Sequence, residues 1–583
     1  MRPSTRKWFF ALLAVVLALV ASLRLAPLNE QRVQNELVLA SLPKEVLSSN
    51  LATPMLAVGR AVLADVYWMM ATKSKDEGRI FDAYQLAKRI CDLQPRFASV
   101  WAFQAWNMSY NISVTLRTPE ERWRWVRNGY ELLRDKGIPL NPNSGQLYKE
   151  LAWILFHKVG DFSDEWHYYY KLQFALQMED ILGPPPANYV RPGRSRDDYY
   201  RDYDFKPLAA APQTFEELAK DPAVTEFSAA LEQFGYKASE SGVYLGLLSA
   251  IADGTVQVPN AAEGMKETRL HALSALMSDP KTEPARLAIE RFWRAYRLRN
   301  EVKLDPQRIV ELQNGYGVSF DFRVPETQAL YWANLGMERG TSRQEAIDVH
   351  RLNTNRIEFY CLQKMFHRGR LVMSRNPKMG EPPLLLPDYR VIPILREAFE
   401  RDSKEYLKLE NVQKPVSENF LTGYIGFMRS AIIRYHEVGR QAEAQELFDY
   451  LREHFPDPEG MYDKGLDGFL AKQREFEFEN VDLRQAVSRI EALIARGLVP
   501  LAYDEDDEAS LSLRRAKEVY DHFQAEQSSE RNRIPATYPE ILENAVHRYG
   551  GSMYRASYEH VCEKLGLKPL PPPDARQTAE PPK

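Results

Sequence analysis

The side chains that could hold a metal ion in this chain are scattered histidines and one acidic run. His157 and His167 lie ten residues apart, a spacing that places them on no common helix face, whereas a zinc site needs converging ligands. The run Asp504–Glu508 would suit calcium, but a calcium-binding helix-loop-helix segment needs glycine six positions in and glutamate at position twelve. Those positions hold Ala509 and Arg515. We therefore predict no metal site and place these carboxylates at the start of a helix, where they favour its dipole.

Phosphate-binding loops are also missing from the sequence. It contains no GxxxxGK[ST] motif, and Gly315-Tyr316-Gly317 is a GxG without the third glycine. A dinucleotide-binding loop needs that third glycine between a strand and a helix. We interpret the segment as a turn, and the sequence predicts no cofactor.

Glu240 is an acidic residue in a context that could be catalytic. The segment ASESGVYLGLL contains Glu240-Ser241-Gly242, followed by Gly246-Leu247-Leu248. It resembles the catalytic segment of lytic transglycosylases, which are peptidoglycan-cleaving enzymes that can join such a glutamate to an α-solenoid. In that family a longer segment separates the Glu-Ser pair from a G-L-M-Q sequence. This chain has neither that separation nor the glutamine. A transglycosylase-like enzyme is the alternative function, and its chemistry would require Glu240 to be protonated.

The segment YHEVGRQAEAQELFDYLREHFP carries regularly spaced residues that predict two antiparallel helices. Gly439, Ala444, Phe448 and Pro456 follow Tyr435 at offsets of 4, 9, 13 and 21. These residues resemble the tetratricopeptide repeat, a helical hairpin of about 34 residues. The small side chain of Ala444 allows two helices to approach closely, Gly439 lies where the first helix must end, and Pro456 stops the second. The resemblance implies a surface that binds other proteins and carries no chemistry of its own.

A looser match lies in ADVYWMMATKSKDEGRIFDAYQLAKRICDLQPRF. Counting back from Pro95 places Ala83 at the small-residue position and Gly78 at the turn. Two longer hairpins follow and end at Pro142 and Pro184. The helical spacing predicts one buried stripe in each of three hairpins. In the hairpin that ends at Pro456 the stripe is Ala444, Leu447, Phe448 and Leu451, and in the one that ends at Pro95 it is Ile80, Ala83, Tyr84, Ala87 and Ile90. In the hairpin that ends at Pro142 it is Trp101, Ala105, Met108, Trp123, Val126, Tyr130 and Leu133.

Composition excludes some classes of partner. The 76 basic and 80 acidic residues give a net charge of -4, without the basic surplus that nucleic-acid binding requires.

The 30 tyrosines and 10 tryptophans fit the gaps between stacked hairpins, since large aromatic side chains fill cores. The three cysteines, Cys91, Cys361 and Cys562, are too few and too far apart for a disulfide framework.

The N-terminus predicts the location of the protein. Arg2, Arg6 and Lys7 precede an uncharged run of 16 residues from Trp8 to Leu23. Such a run fits a single membrane-spanning helix if it extends past Arg24, and the preceding positive charges predict a cytoplasmic N-terminus. A cleaved signal peptide is the alternative. We expect a single-pass inner-membrane protein with the bulk of the chain in the periplasm.

The predicted fold is all-α, a superhelical array of tetratricopeptide-like hairpins behind an N-terminal transmembrane helix. The chain resembles an uncharacterised group of bacterial membrane-anchored helical-repeat proteins, through the segment Ala64–Phe97 and through FDFRVPETQALYWANLG. That resemblance implies the fold and an envelope location. The expected segments are 1–28 as anchor, 29–190 as hairpins, 191–325 as an irregular helical insertion, 326–460 as hairpins, 461–569 as a C-terminal helical region, and 570–583 as a disordered proline-rich tail.

These observations together favour a membrane-tethered scaffold that binds other envelope proteins, whose identity the sequence does not give. Tyr199, Tyr200, Arg201 and Tyr203 cluster in a stretch with few aliphatic residues. Tyrosine and arginine are enriched at binding hot spots, so this cluster is one candidate partner surface. The alternative is that its rings pack onto the neighbouring hairpins.

Overall fold

A computed structural model describes most of the chain as helices joined by short turns. It describes residues 55–161, 163–183, 203–240, 272–340, 349–372, 384–408, 414–437, 439–455, 460–478, 483–526, 533–550 and 555–571, apart from residues 274, 278, 503 and 505. Over these residues the secondary structure is helical except for one two-stranded ribbon, so the predicted all-α class is confirmed. The chain divides into two compact units, Met1–Arg96 and Phe97–Lys583.

The described part of the first unit is a helical hairpin, α1 (Met55–Asp76) and α2 (Ile80–Leu93). Gly78 adopts a φ of +73° between the two helices, a conformation that glycine adopts without strain. The N–H of Arg79 donates to the carbonyl of Ser74 at 2.8 Å and closes α1. The buried face of α2 consists of Ala83, Leu86, Ala87, Ile90 and Cys91. The chain turns at Pro95 directly after α2.

The second unit begins with a run of helices, three of which continue into π-helical segments. The run consists of α3 (Ala98–Trp106) with the π-helical Asn107–Ile112 and the 3₁₀ turn Ser113–Thr115, α4 (Pro119–Leu132) with the π-helical Leu133–Gly137, the single turn α5 (Ile138–Leu140), α6 (Gly145–Trp153) with the π-helical Ile154–Gly160, and α7 (His167–Leu182). The hydroxyl of Thr118 caps α4 by accepting from the N–H of Glu121, and Pro119 occupies the first turn, as helix starts favour. Every residue of the stripe predicted for this hairpin is buried.

The middle of this unit joins further helices to the ribbon. The elements are α8 (Lys206–Ala209), α9 (Phe215–Leu218), α10 (Pro222–Glu232), α11 (Glu283–Asn300), α12 (Pro306–Tyr316), α13 (Pro325–Arg339), α14 (Val349–Arg368), β1 (Arg370–Val372) and β2 (Leu384–Leu386). The strands pair antiparallel, with Leu371 opposite Leu385. The connector before α13 is buried: Asp321 accepts from the guanidinium of Arg323 at 2.9 Å and from the N–H of Leu371 at 3.2 Å.

The C-terminal part is again helical. Its helices are α15 (Val391–Lys408), α16 (Lys414–Glu437), α17 (Gln441–His454), α18 (Gly465–Phe478), α19 (Leu483–Ala502), α20 (Asp506–Glu526), α21 (Tyr538–Gly550) and α22 (Arg555–Leu565). The last four share a core that includes Ile490, Val519, Val546 and Val561. Among all the described helices, none has the length and apolarity to cross a membrane. The predicted anchor Trp8–Leu23 lies outside the described residues.

Candidate partner-binding cleft

Helix α3 presents a second apolar face beside its buried stripe. Trp101 and Ala105 are buried, and Ser99, Ala102, Phe103 and Trp106 follow one another at helical spacing on another face. Phe103 is 47% exposed and Trp106 is 42% exposed. A helix that is apolar on two faces needs a second neighbour, because a surface helix ordinarily has one apolar stripe.

Two further helices complete a cleft above this face. Helix α6 contributes Gln146, Lys149, Glu150 and Trp153, again one helical face, while its Leu147, Tyr148, Leu151 and Ala152 are buried. Helix α14 contributes Arg356, Ile357 and Tyr360. We call the space between these faces of α3, α6 and α14 the aromatic cleft.

The aromatic cleft has the size and composition of a binding site. Its volume is about 660 Å³, within the range of roughly 300–1,000 Å³ that is usual for ligand-binding clefts. Tyr360 is 38% exposed, and its ring stacks on Phe156 with centroids 6.0 Å apart. Clustered exposed aromatic side chains in a concavity mark interaction sites, because isolated apolar residues are the norm elsewhere on a surface.

Polar groups of the cleft pair mainly with one another. The Lys149 ammonium lies 2.6 Å from the Glu150 carboxylate, and the Ser99 hydroxyl donates to the side-chain oxygen of Gln146 at 3.2 Å. The guanidinium of Arg356 also lines the cleft. Because both side chains of the ion pair are about four-fifths buried, the pair offers fixed hydrogen-bonding groups rather than a mobile surface charge.

Behind Trp153 lies a neutral histidine. The rings of Trp153 and His157 stack with centroids 4.9 Å apart, and His157 Nδ1 lies 3.3 Å from the Tyr110 hydroxyl. Burial lowers the pKa of His157 and outweighs the opposing charge of Asp161, while burial raises the pKa of Tyr110. Both groups are therefore uncharged at pH 7. His157 thus supports the Trp153 ring by stacking, and Tyr110 contacts His157 in turn.

A second group of ionisable side chains, away from the lining of the aromatic cleft, forms buried ion pairs. The Lys158 ammonium lies 2.6 Å from the Asp164 carboxylate, and both side chains are almost completely buried. The Glu326 carboxylate pairs with Arg368 at 3.1 Å. Burial, followed by the charge of Arg368, lowers the pKa of Lys171 to about 7. That lysine is itself buried, and it donates to the Asp161 carbonyl at 3.2 Å.

The tetratricopeptide-like residues lie in the hairpin of α16 and α17. Tyr435, Ala444 and Phe448 are buried, and Gly439 has a φ of +78°. Leu447 and Leu451, which complete the predicted stripe, are also buried. Pro456 lies outside the described residues. This geometry is a helical hairpin; its membership of the tetratricopeptide family stays a prediction.

Of the predicted tyrosine and arginine cluster, only Tyr203 lies among the described residues. Tyr199, Tyr200 and Arg201 lie outside the described residues. The Tyr203 hydroxyl donates to the Gly183 carbonyl at 2.8 Å, and the Arg323 guanidinium lies over its ring, 5.6 Å from the centroid. These contacts favour a packing role for Tyr203, which is the alternative interpretation of the cluster.

Among the described residues, Glu240 is an exposed carboxylate with a basic partner. Its side chain is 68% exposed and pairs with the Lys237 ammonium at 2.8 Å. A glycosidase acid is kept protonated by an apolar or like-charged surrounding. The described contacts of Glu240 therefore give the transglycosylase-like alternative no support.

Sequence reasoning missed the residues of the aromatic cleft. Phe103, Trp106 and Trp153 lie in helices that were predicted, but they entered no predicted stripe. The signal that could have found Phe103 and Trp106 is a second helical spacing in α3, where residues 99, 102, 103 and 106 repeat the i, i+3, i+4, i+7 pattern on a different face from Trp101.

Comparison with known proteins gives no relative for this chain. No family model, no curated protein and no solved structure matches it.

Proposed function

We propose that this protein is a membrane-tethered interaction scaffold of the bacterial envelope, which binds a segment of another protein in the aromatic cleft. In this proposal the helical hairpins form a tetratricopeptide-like solenoid, the segment Trp8–Leu23 spans the inner membrane, and the remainder lies in the periplasm. The observation that supports it is the convergence of exposed Phe103 and Trp106 from α3 and of exposed Tyr360 from α14 on one cleft.

The chemistry of the cleft favours a protein segment as its occupant. Tryptophan, tyrosine and arginine dominate binding hot spots because they bury a large area at small entropic cost. The cleft combines Trp106, Tyr360 and Arg356 with the paired Lys149 and Glu150. Aromatic side chains supply apolar contact area, and the fixed polar groups can satisfy the backbone of an incoming segment.

Site-specific photo-cross-linking in intact cells identifies the occupant. A photoreactive residue at Phe103 of the full-length chain should capture a defined partner, and the same residue at Tyr296 should not. Tyr296 is a matched control because it is an aromatic residue that is 41% exposed but belongs to α11. Equal cross-linking at both positions would show that the cleft has no selectivity.

Reconstituted binding to the captured partner measures the contribution of the aromatic rings. We expect Trp106→Ala and Tyr360→Ala each to weaken binding by about 30-fold, since removing a hot-spot side chain costs roughly 2 kcal/mol or more. Tyr296→Ala should leave the dissociation constant unchanged. Because all three side chains are partly exposed, their melting temperatures should stay close to that of the wild type. Unchanged affinity in both cleft variants would refute the proposal.

A further inference from the structure

Helix α1 carries an apolar stripe that α2 does not cover. Val62, Leu63, Val66, Met69 and Met70 are between 37% and 65% exposed. Their spacing places them side by side on one face, because residues three and four apart on a helix are neighbours. This stripe, which we call the α1 stripe, is a continuous apolar strip rather than a set of isolated side chains.

The hairpin of the first unit is complete without the α1 stripe. Outside the α1 stripe, α1 buries Ala64 on its opposite face and Ser74 beside Met70, and it packs against α2. The α1 stripe therefore stands outside the core of the hairpin, and such a strip is typical of a helix that pairs with a further helix.

The charged residues beside the α1 stripe distinguish a membrane surface from a protein as its neighbour. Asp65 and Asp76 are exposed along one flank, together with Thr72. Acidic residues beside an apolar face oppose contact with anionic lipid headgroups, because a helix that lies on a membrane typically has lysine and arginine there. Lys73 lies within the stripe at its C-terminal end. We infer that the α1 stripe pairs with the same stripe of a second copy of this chain, antiparallel.

The antiparallel direction follows from the position of the charges. In a parallel pair the two Lys73 ammonium groups would lie side by side, and like charges in contact oppose association. In an antiparallel pair with Val66 against Met69 of the second copy, Lys73 falls opposite Val62. It then lies less than one helical turn from Asp65 of the other copy. Because the interface is two-fold symmetric, the contact of Lys73 with Asp65 of the other copy forms twice, in addition to the pairing of each Lys73 with Glu77 of its own chain at 3.8 Å.

Disulfide cross-linking of the full-length protein in membranes tests the pairing and its direction. The native cysteines Cys91, Cys361 and Cys562 are buried, so introduced thiols on α1 are the reactive ones. We expect a chain with Val66→Cys to cross-link to a differently tagged chain with Met69→Cys, and Thr72→Cys on the polar flank to stay monomeric. Cross-linking of Met69→Cys mainly to itself would indicate a parallel pair and overturn the antiparallel one.

Light scattering of the purified full-length protein in detergent gives an independent measurement. The wild type should show a mass that rises from one to two copies with concentration, and Val66→Asp should remain a single copy. Since Val66 is exposed, this substitution should leave the melting temperature unchanged. A wild-type mass of one copy at every concentration, together with no cross-link at residues 66 and 69, would overturn the inference. The α1 stripe would then face lipid or residues 1–54 of its own chain.

Discussion

At the scale of single residues, the buried ion pair of Lys158 and Asp164 shows what burial does to charge. The Asp164 carboxylate accepts from the Lys158 ammonium at 2.6 Å and from the N–H of Trp166 at 3.0 Å. Burial alone would raise the pKa of Asp164. The hydrogen bond from Lys158 leads the contacts that outweigh burial and hold that pKa below its ordinary value. Removing one partner of such a pair leaves a buried charge without its counterion.

We therefore expect Asp164→Asn to destabilise the protein by about 3–5 kcal/mol, as the loss of one partner of a buried pair typically does. Asp521→Asn is the matched control, because Lys517 and Asp521 are also 2.6 Å apart while their side chains are more than half exposed. An exposed pair contributes about 1 kcal/mol or less. Urea denaturation at pH 7 measures both differences, and equal losses would show that burial does not decide them.

The Lys158–Asp164 pair also predicts how the free energy of unfolding depends on pH. A carboxyl group with a lowered pKa in the folded state stabilises the protein above its unfolded pKa of about 3.9. That contribution is lost as the pH falls through the folded pKa, because the protonated group no longer pairs with Lys158. The difference in unfolding free energy between wild type and Asp164→Asn should consequently shrink below about pH 4. A constant difference between pH 7 and pH 3 would contradict the assigned ion pair.

At the scale of helices, one buried apolar stripe is easier to predict from the sequence than a second, exposed apolar face on the same helix. Leu447, Phe448 and Leu451 are buried as predicted, because one apolar stripe at helical spacing specifies one buried face. Helix α3 has apolar residues on two faces, and the sequence alone does not say which of them has a neighbour. Phe103 and Trp106 were missed for this reason. For Tyr203 the sequence left a binding surface and a packing role open, and its contacts with Gly183 and Arg323, which favour packing, are distant in sequence.

The hairpin of α16 and α17 gives a prediction at this scale. Ala444 is completely buried, so Ala444→Trp should overpack the helix crossing at a cost of about 1–3 kcal/mol or more. Gly439→Val should also destabilise, since its φ is +78° and an added Cβ would lie 2.6 Å from Leu511 Cδ1, which combines backbone strain with a clash.

Glu443→Gln is the control for both variants, because its side chain is 44% exposed and it pairs with Arg440 at 3.5 Å. Its melting temperature should match the wild type within a degree or two, since exposed substitutions change stability little. Thermal unfolding followed by circular dichroism compares the three proteins. If all three melt together, the close approach of the two helices at Ala444 is wrong.

At the scale of the whole molecule, the all-α class was predictable because helical spacing recurs along the chain and alternating strand patterns are rare. The charge clusters were not predictable. Lys364 pairs with Asp161 at 2.9 Å across about 200 positions of sequence, and Arg297 pairs with Asp180 at 2.6 Å. Such pairs depend on how helices that are distant in sequence pack together, which a helical period within one segment does not specify.

Membrane topology is the remaining prediction at this scale, and it rests on Arg2, Arg6 and Lys7 before the apolar run Trp8–Leu23. Positive charges stay on the cytoplasmic side of a membrane-spanning segment, so the chain after residue 29 should be exported. An alkaline phosphatase fused at Pro569 should be active, since that enzyme is active only outside the cytoplasm. The same fusion without residues 8–23 should be inactive. The mass of the mature N-terminus then separates a retained anchor from a cleaved signal peptide. An inactive full-length fusion beside an active cytoplasmic reporter at Pro569 would place the chain in the cytoplasm and remove the envelope from the proposed function.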